Sequence, residues 1–316
     1  MPNDLRIVFM GTPDFAVGVL KEMVGAGKNI VGVITAPDKP AGRGRKLMAS
    51  AVKEYAVSQH LTVLQPTNLK EEFFLKELKE LKANIQVVVA FRMLPKAVWQ
   101  MPELGTFNLH ASLLPLYRGA APINWAIINN EEKTGVTTFF IDEKIDTGSI
   151  IANKEVAIES NETAETLHDK LMEKGGELVL ETLKLIEKGN LNPKPQPESG
   201  NLNEAPKLTP ENTRIDWTKP GKEIDAFIRG LSPYPVAWSV LYNNTEELKV
   251  KIFAAAFEKD SHNFKPGSIF SSKKELKVSC ADGYIFIKEI QLPGKRKMES
   301  SALLNGYLFD EDSKLS

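Results

Sequence analysis

The stretch Leu5-Arg6-Ile7-Val8-Phe9-Met10-Gly11-Thr12-Pro13-Asp14 decides the fold. Its apolar run, Ile7 to Met10, stops at a glycine and a turn; a helix-like pattern follows from Phe15 to about Val24, then a second apolar run from Ile30 to Ile34. Strand, turn, helix, strand is the order of a parallel unit, whose strands read as continuous apolar runs because helices cover both faces of the sheet. Working outward, residues 85–91, 106–110 and 136–142 are further buried-strand candidates, with helical patterns at 69–81 and 123–129. A long amphipathic pattern over about 162–188 closes this part, with Gly175-Gly176 as its expected break.

Between Leu191 and Pro210 lie five of the 19 prolines, mixed with Asn, Gln, Ser and Gly, a composition that reads as a semi-extended linker. Beyond it comes one short helix at about 222–229, then strand-like runs at 237–242, 248–257, 276–280 and 284–290. Ala281-Asp282-Gly283 joins the last two as a hairpin signal. Several short strands with turn signals suggest a small β-barrel or sandwich. The expected organisation is a first domain over 1–190, a linker over 191–208 and a second domain over 209–316.

Forty Lys plus Arg against 41 Asp plus Glu give a net charge of −1, which argues against a general nucleic-acid coat, because such binding draws on many phosphate contacts. Any polyanion contact must come from a local patch. The single Cys280 rules out an intrachain disulfide and a Cys-x-x-Cys centre, and favours a reducing compartment. The start is too short in apolar residues for a signal-peptide core, and no uncharged apolar run approaches the ~20 positions that cross a bilayer. A cytoplasmic protein away from membranes is expected.

The densest polar signal is Asn108-Leu109-His110 at a strand end, followed by Ala111-Ser112-Leu113-Leu114-Pro115-Leu116-Tyr117-Arg118-Gly119. Residues two apart on a strand share a face, so Asn108 and His110 present an amide and an imidazole side by side. That pair suits a carbonyl under attack: an amide N–H donates to an oxygen gaining charge, and an imidazolium donates to it or passes a proton to a leaving nitrogen. An isolated His near a strand end is otherwise a satisfied polar residue. Asp146-Thr147-Gly148, at the end of another expected strand, offers a carboxylate to orient the imidazole; the plain alternative is a polar turn. Aspartic proteases share the triplet but need two such carboxylates, and this chain has it once.

Other chemistries fit less well. The turn at Gly11 lacks the second and third glycines of a dinucleotide site, no Gly-x-Ser-x-Gly elbow appears, and His60, His110, His168 and His262 are scattered without metal-ligand spacing, so no metal is expected. Cys280 reads as a small buried hydrophobe, and His168, inside the long amphipathic pattern, as a surface or packing residue. From Lys39 to Lys53 there are five positive and no negative residues, on a Pro/Gly-rich loop. Guanidinium forks on a flexible loop suit phosphate contact; a solvated basic loop is the alternative.

These motifs together, with Gly135-Val136-Thr137, Arg214-Ile215-Asp216-Trp217 and Pro233-x-Pro235-x-Ala237-Trp238, resemble the methionyl-tRNA formyltransferases over nearly the whole length. The Asn, His and Asp set with Ser-Leu-Leu-Pro is common to the folate-dependent formyltransferase superfamily and marks the chemistry; the basic loop and the second domain point to tRNA. The resemblance implies a Rossmann-like, mostly parallel α/β catalytic domain joined to a smaller OB-like β-barrel, with 10-formyltetrahydrofolate as formyl donor. It implies direct attack by the methionyl α-amine through a tetrahedral intermediate, with Asn108, His110 and Asp146 catalytic. Ser112, Leu113, Leu114 and Pro115 would contact the folate. Phe15 would line the methionyl pocket, and Arg43, with Arg45 and Lys46 on the same loop, would meet initiator methionyl-tRNA. A monomer is expected. One departure is visible at Phe91-Arg92-Met93-Leu94-Pro95, where many members have Tyr-Gly and one residue more. The alternatives are a formyltransferase acting on an amino sugar nucleotide or a glycinamide ribonucleotide, and a non-catalytic tRNA- or folate-binding protein.

Overall fold

The computed structural model describes residues 4–41, 46–197 and 202–316. The chain divides into two compact units, one made of Met1–Gly119, Thr134–Val156 and His168–Glu204, the other of Ala120–Lys133, Ala157–Leu167 and Ala205–Ser316.

The chain begins with β1 (Ile7–Gly11), α1 (Asp14–Gly25) and β2 (Ile30–Ile34), then a small hairpin of β3 (Lys39–Ala41) and β4 (Lys46–Met48). There follow α2 (Ala51–Ser58), β5 (Val63–Leu64), α3 (Glu72–Glu80), β6 (Ile85–Val89), α4 (Lys96–Trp99), β7 (Thr106–His110) and β8 (Arg118–Gly119). Next come α5 (Pro122–Ile128), β9 (Lys133–Phe140), β10 (Ile150–Ala157) and α6 (Ala164–Glu187). The main sheet has the order β10-β9-β7-β6-β1-β2-β5. Strands β7, β6, β1, β2 and β5 run parallel, and β9 is antiparallel to β7. All five residues of β1 and of β6 are buried, as a strand covered on both faces requires. Val8, Met10, Ile34, Phe74, Leu78 and Val88 form one of its cores.

Two expectations give way here. The strand expected over 85–91 ends at Val89, because Ala90 turns to φ +47°. The expected break at Gly175-Gly176 is absent, and α6 runs through it. A Cβ at Gly175 would strike the Leu109 side chain and one at Gly176 the Glu22 side chain, so the glycines serve close approach of the helix to its neighbours.

After β11 (Glu204–Ala205), the second unit contains α7 (Gly221–Leu231), β12 (Ala237–Asn243), β13 (Glu246–Lys259), β14 (Ile269–Ser271), β15 (Leu276–Cys280), β16 (Gly283–Gln291), β17 (Met298–Glu299), α8 (Ser300–Leu304) and β18 (Lys314–Leu315). Its antiparallel sheet, β14-β15-β16-β13-β12-β18, curls into a barrel. β13 bends where its register against β16 shifts between Ile252 and Ala255. The last strand closes the ring: Leu315 N donates to Gly267 O (2.8 Å) and Ile269 N to Ser313 O (3.1 Å). Ile224, Ile228, Leu241, Val250, Val278 and Ile285 fill the interior. The segment Ala120–Lys133 joins this unit rather than the contiguous first domain expected, since α5 lies on α7, with Asn124 Nδ2 donating to Gly230 O at 2.7 Å.

Candidate active site

β7 ends among the carboxyl ends of the parallel strands, where open α/β sheets present ligand-binding groups. Asn108 pairs across with Val88 and Phe139, His110 with Thr137, and the two-residue period puts both side chains on one face. The Asn108 side chain is partly exposed and makes no hydrogen bond among the described residues. The His110 residue is 7% exposed, and its Nε2–H donates to the Tyr117 carbonyl at 2.8 Å. A carbonyl only accepts, so this contact fixes the protonated nitrogen and leaves Nδ1 as the open ring atom. Asp146 Oδ2 lies 3.8 Å from that Nδ1, an ion-pair approach longer than a hydrogen bond. His110 and Asp146 are therefore brought together, with Asn108 on the same face of β7 as His110, but the Tyr117 carbonyl, not the carboxylate, hydrogen-bonds the ring.

Asp146 is itself held at several points. Its backbone takes φ +55°, its Oδ2 accepts from Gly119 N (3.0 Å), and the preceding turn is tied by Asp142, which accepts from Lys144 N and Thr147 Oγ1. A Cβ at Gly148 would run into the Phe140 carbonyl, so the chain returns past β9 only with glycine there. Behind the turn stands Gln196, 8% exposed, from the proline-bearing stretch expected to be a linker. That stretch is extended but docked: Lys194 and Ile150 exchange two backbone hydrogen bonds of 2.8 Å.

Ser112 is fully buried and gives its hydroxyl proton to Leu116 O at 2.7 Å, so its side chain shapes the loop rather than reaching outward. Thr137 braces the same loop, donating to Ser112 O (2.7 Å) and accepting from Leu114 N (3.2 Å). Leu114 is buried; Leu113 and Pro115 are partly exposed. Phe15, on α1, is 6% exposed and packs edge-on against His168, ring centres 5.3 Å apart. Arg43 and Arg45 lie outside the described residues; Lys46 opens β4, but its side chain is not described. The strands on either side of that loop, β3 and β4, pair Lys39 with Met48 and Ala41 with Lys46. Lys53, counted with that loop, is spent on Asp38 at 2.6 Å. In the departure at 91–95, Arg92 donates to the Thr67 and Pro66 carbonyls.

Elsewhere, Cys280 is buried and its thiol is pushed up by burial, which suits a packing role. Among the described residues no group of three or more His, Cys, Asp or Glu is placed to hold a metal ion. Nor, among them, is any helix long and apolar enough to cross a membrane. A cavity of about 680 Å³ within the second unit, walled by Phe253 to Phe257 and Arg229, contains none of the expected site residues.

The sequence singled out Asn108, His110 and Asp146 as candidates, but not the bonds made to them and around them by the Tyr117 carbonyl, Thr137, Gly119 N and Gln196. For Gln196 the only signal was an amide set among prolines.

The formyl transferase family matches residues 5–183, and the formyl transferase C-terminal domain matches residues 207–308. The chain is 58% identical to a methionyl-tRNA formyltransferase of Flavobacterium johnsoniae, over 98% of this chain and 99% of that one. It is 52% identical to one of Bacteroides fragilis, over 99% and 98%. Among solved structures, HypX from Aquifex aeolicus in complex with tetrahydrofolic acid superposes with a TM-score of 0.64 at 20% identity, covering 96% of this chain and 47% of that one. WlaRD, a sugar 3N-formyl transferase in the presence of dTDP and 5-N-formyl-THF, gives 0.64 at 22% identity, covering 93% and 100%. At those identities the two structures speak for the fold.

Proposed function

The chain belongs to the formyl transferase family, and we propose that it transfers the formyl group of 10-formyltetrahydrofolate to the α-amine of methionine carried on initiator tRNA. The acceptor follows the name shared by relatives that are 52% and 58% identical over nearly their full length. A folate donor agrees with what the two solved neighbours hold. The reading is carried by one observation: an Asn108 amide with no partner among the described residues, beside His110, whose open Nδ1 stands 3.8 Å from Asp146.

Bound there, the donor supplies an activated amide carbonyl whose nitrogen is the leaving group. Asn108 N–H donates to the carbonyl oxygen as the uncharged α-amine attacks and negative charge gathers on it. His110 acts through Nδ1, because Nε2–H is committed to Tyr117. One C–N bond forms and one breaks. Nδ1 takes the proton that the attacking amine loses and passes it to the departing nitrogen, with Asp146 steadying the charged ring between the two transfers. No enzyme-bound acyl group is needed. The loop from Ser112 to Pro115, braced by Thr137, forms the folate side of the site. Phe15 lines the methionyl pocket, and the basic loop with Arg43, Arg45 and Lys46 meets tRNA phosphates, in the cytoplasm and without a second subunit.

The test is formylation of charged initiator tRNA beside an amino sugar nucleotide. Transfer goes to the tRNA, and Asn108→Ala and His110→Ala each lose about 10²–10³ in kcat. Near-full turnover by either variant, or formylation of the sugar alone, overturns the reading.

A further inference from the structure

Among the described residues, Gln196 is the one amide whose hydrogen bonds all converge on the segments that hold the candidate catalytic groups. Its Nε2 donates to the carbonyl of Asp146 (3.0 Å) and to that of Gly148 (2.8 Å). Its Oε1 accepts from Arg118 Nε (3.1 Å) and Nη2 (2.6 Å). Two donors and two lone pairs are thus all used, which leaves the side chain one orientation. Pro195 and Pro197 flank it, and both lock φ in an extended chain, while the Lys194–Ile150 bridge fixes the stretch two residues upstream.

The consequence falls on Asp146. Its left-handed backbone costs energy for a residue with a Cβ and persists only where the surroundings hold it. The peptide oxygen of that same residue is what Gln196 grips. Arg118, at the other end of the amide, lies between Tyr117, whose carbonyl holds His110, and Gly119, whose N–H holds Asp146 Oδ2. We propose that Gln196 is a positioning residue for formyl transfer, joining the Asp146 turn to segment 117–119 and so setting the approach of the Asp146 carboxylate to His110 Nδ1. The proposal rests on the reading of Asp146 given above.

Neutrality matters to this role. Gln196→Glu keeps an oxygen for Arg118 but cannot donate to either carbonyl, so it separates holding Arg118 from holding the Asp146 turn. The experiment is steady-state formylation of methionyl-tRNA by the full chain, in Gln196→Ala, Gln196→Glu, Asp146→Asn and the Gln196→Ala/Asp146→Asn pair. A displaced catalytic group lowers kcat by about 10- to 100-fold in both Gln196 variants, with KM for the tRNA within about twofold of the parent. In the Asp146→Asn background, Gln196→Ala costs less than about twofold more, because the group it positions has already been removed. Should Gln196→Ala fail to fold, Gln196→Glu, which retains the Arg118 contact, carries the kcat and KM comparison. Full kcat in Gln196→Glu, or an undiminished further loss in the double variant, overturns the positioning role while leaving Asp146 in the reaction. Full turnover by Asp146→Asn alone overturns the reading of Asp146 and this proposal with it.

Discussion

Thr137 carries more of the candidate site than its distance from the reacting groups suggests. It is fully buried, and its hydroxyl both donates to Ser112 O and accepts from Leu114 N, so one oxygen satisfies two buried backbone groups of the loop beyond β7. Thr137→Val keeps the shape and removes both bonds. It should destabilise the protein by about 1–3 kcal/mol, the cost of leaving buried polar groups unpaired, and Thr137→Ser should recover most of that. Denaturant unfolding of the three proteins measures it; equal midpoints for Thr137→Val and the parent would refute the brace. At this scale the sequence exposed pairs that local geometry fixes, such as Asn108 and His110, two apart on one strand. The Thr137 brace spans 25 and 23 residues of chain, and the His110–Tyr117 bond depends on Tyr117 adopting φ +58°. Neither leaves a periodic mark.

At the scale of elements, the root of the β3–β4 hairpin shows how a basic arm is anchored. Asp38, one residue before β3, accepts from Gln65 Nε2 (2.8 Å) and Lys53 Nζ (2.6 Å), and Gln65 also donates to Ala36 O. The Gln65 amide, and after it the Lys53 ammonium, hold the Asp38 carboxyl below the ordinary carboxylate range. A folded pKa below the unfolded value means that the stabilisation is present above the unfolded value and is lost as pH falls through the folded one. Asp38→Asn should therefore unfold at a lower temperature than the parent at pH 7, with the gap narrowing once the pH drops below about 4. A gap of constant size across that range would show that the charge on Asp38 contributes nothing. Element existence was legible for β1, β2, β6 and β7, whose residues form short apolar runs. The half-exposed β10, with burial that alternates only weakly, had no such signature. α6 misled in the other direction: two adjacent glycines suggest a break in an isolated helix, but here close packing on Leu109 and Glu22 outweighs their helix cost.

Across the whole molecule, closure of the second unit depends on the chain's last residues. Asn243, at the end of β12 and 5% exposed, donates from Nδ2 to Tyr307 Oη (3.1 Å) and Leu308 O (2.9 Å), and accepts at Oδ1 from Asp310 N (3.0 Å) and Ser313 Oγ (2.6 Å). This clasp delivers β18 to its place between β12 and Gly267, where it completes the barrel. Asn243→Ala leaves the Ser313 hydroxyl and Asp310 N–H without that partner, and should cost about 2–3 kcal/mol. Denaturant unfolding followed by the fluorescence of Trp217 and Trp238, both in this unit, reads the loss; an unshifted transition would remove the clasp from the account of stability.

What the sequence by itself determined was whatever short-range geometry repeats. Apolar runs and turn residues specified a parallel α/β unit followed by a β-rich one, and alternation along a strand set an amide beside an imidazole. Tertiary structure alone decided which backbone groups those side chains would meet. It laid a proline-bearing stretch against the first unit so that Gln196 reaches Asp146, 50 residues away in the chain, and it assigned the His110 Nε2–H to a carbonyl, leaving Nδ1 open. The reason is physical: a backbone carbonyl or N–H is present at nearly every residue and carries no sequence signal, so which one becomes a partner depends on where the folded chain passes.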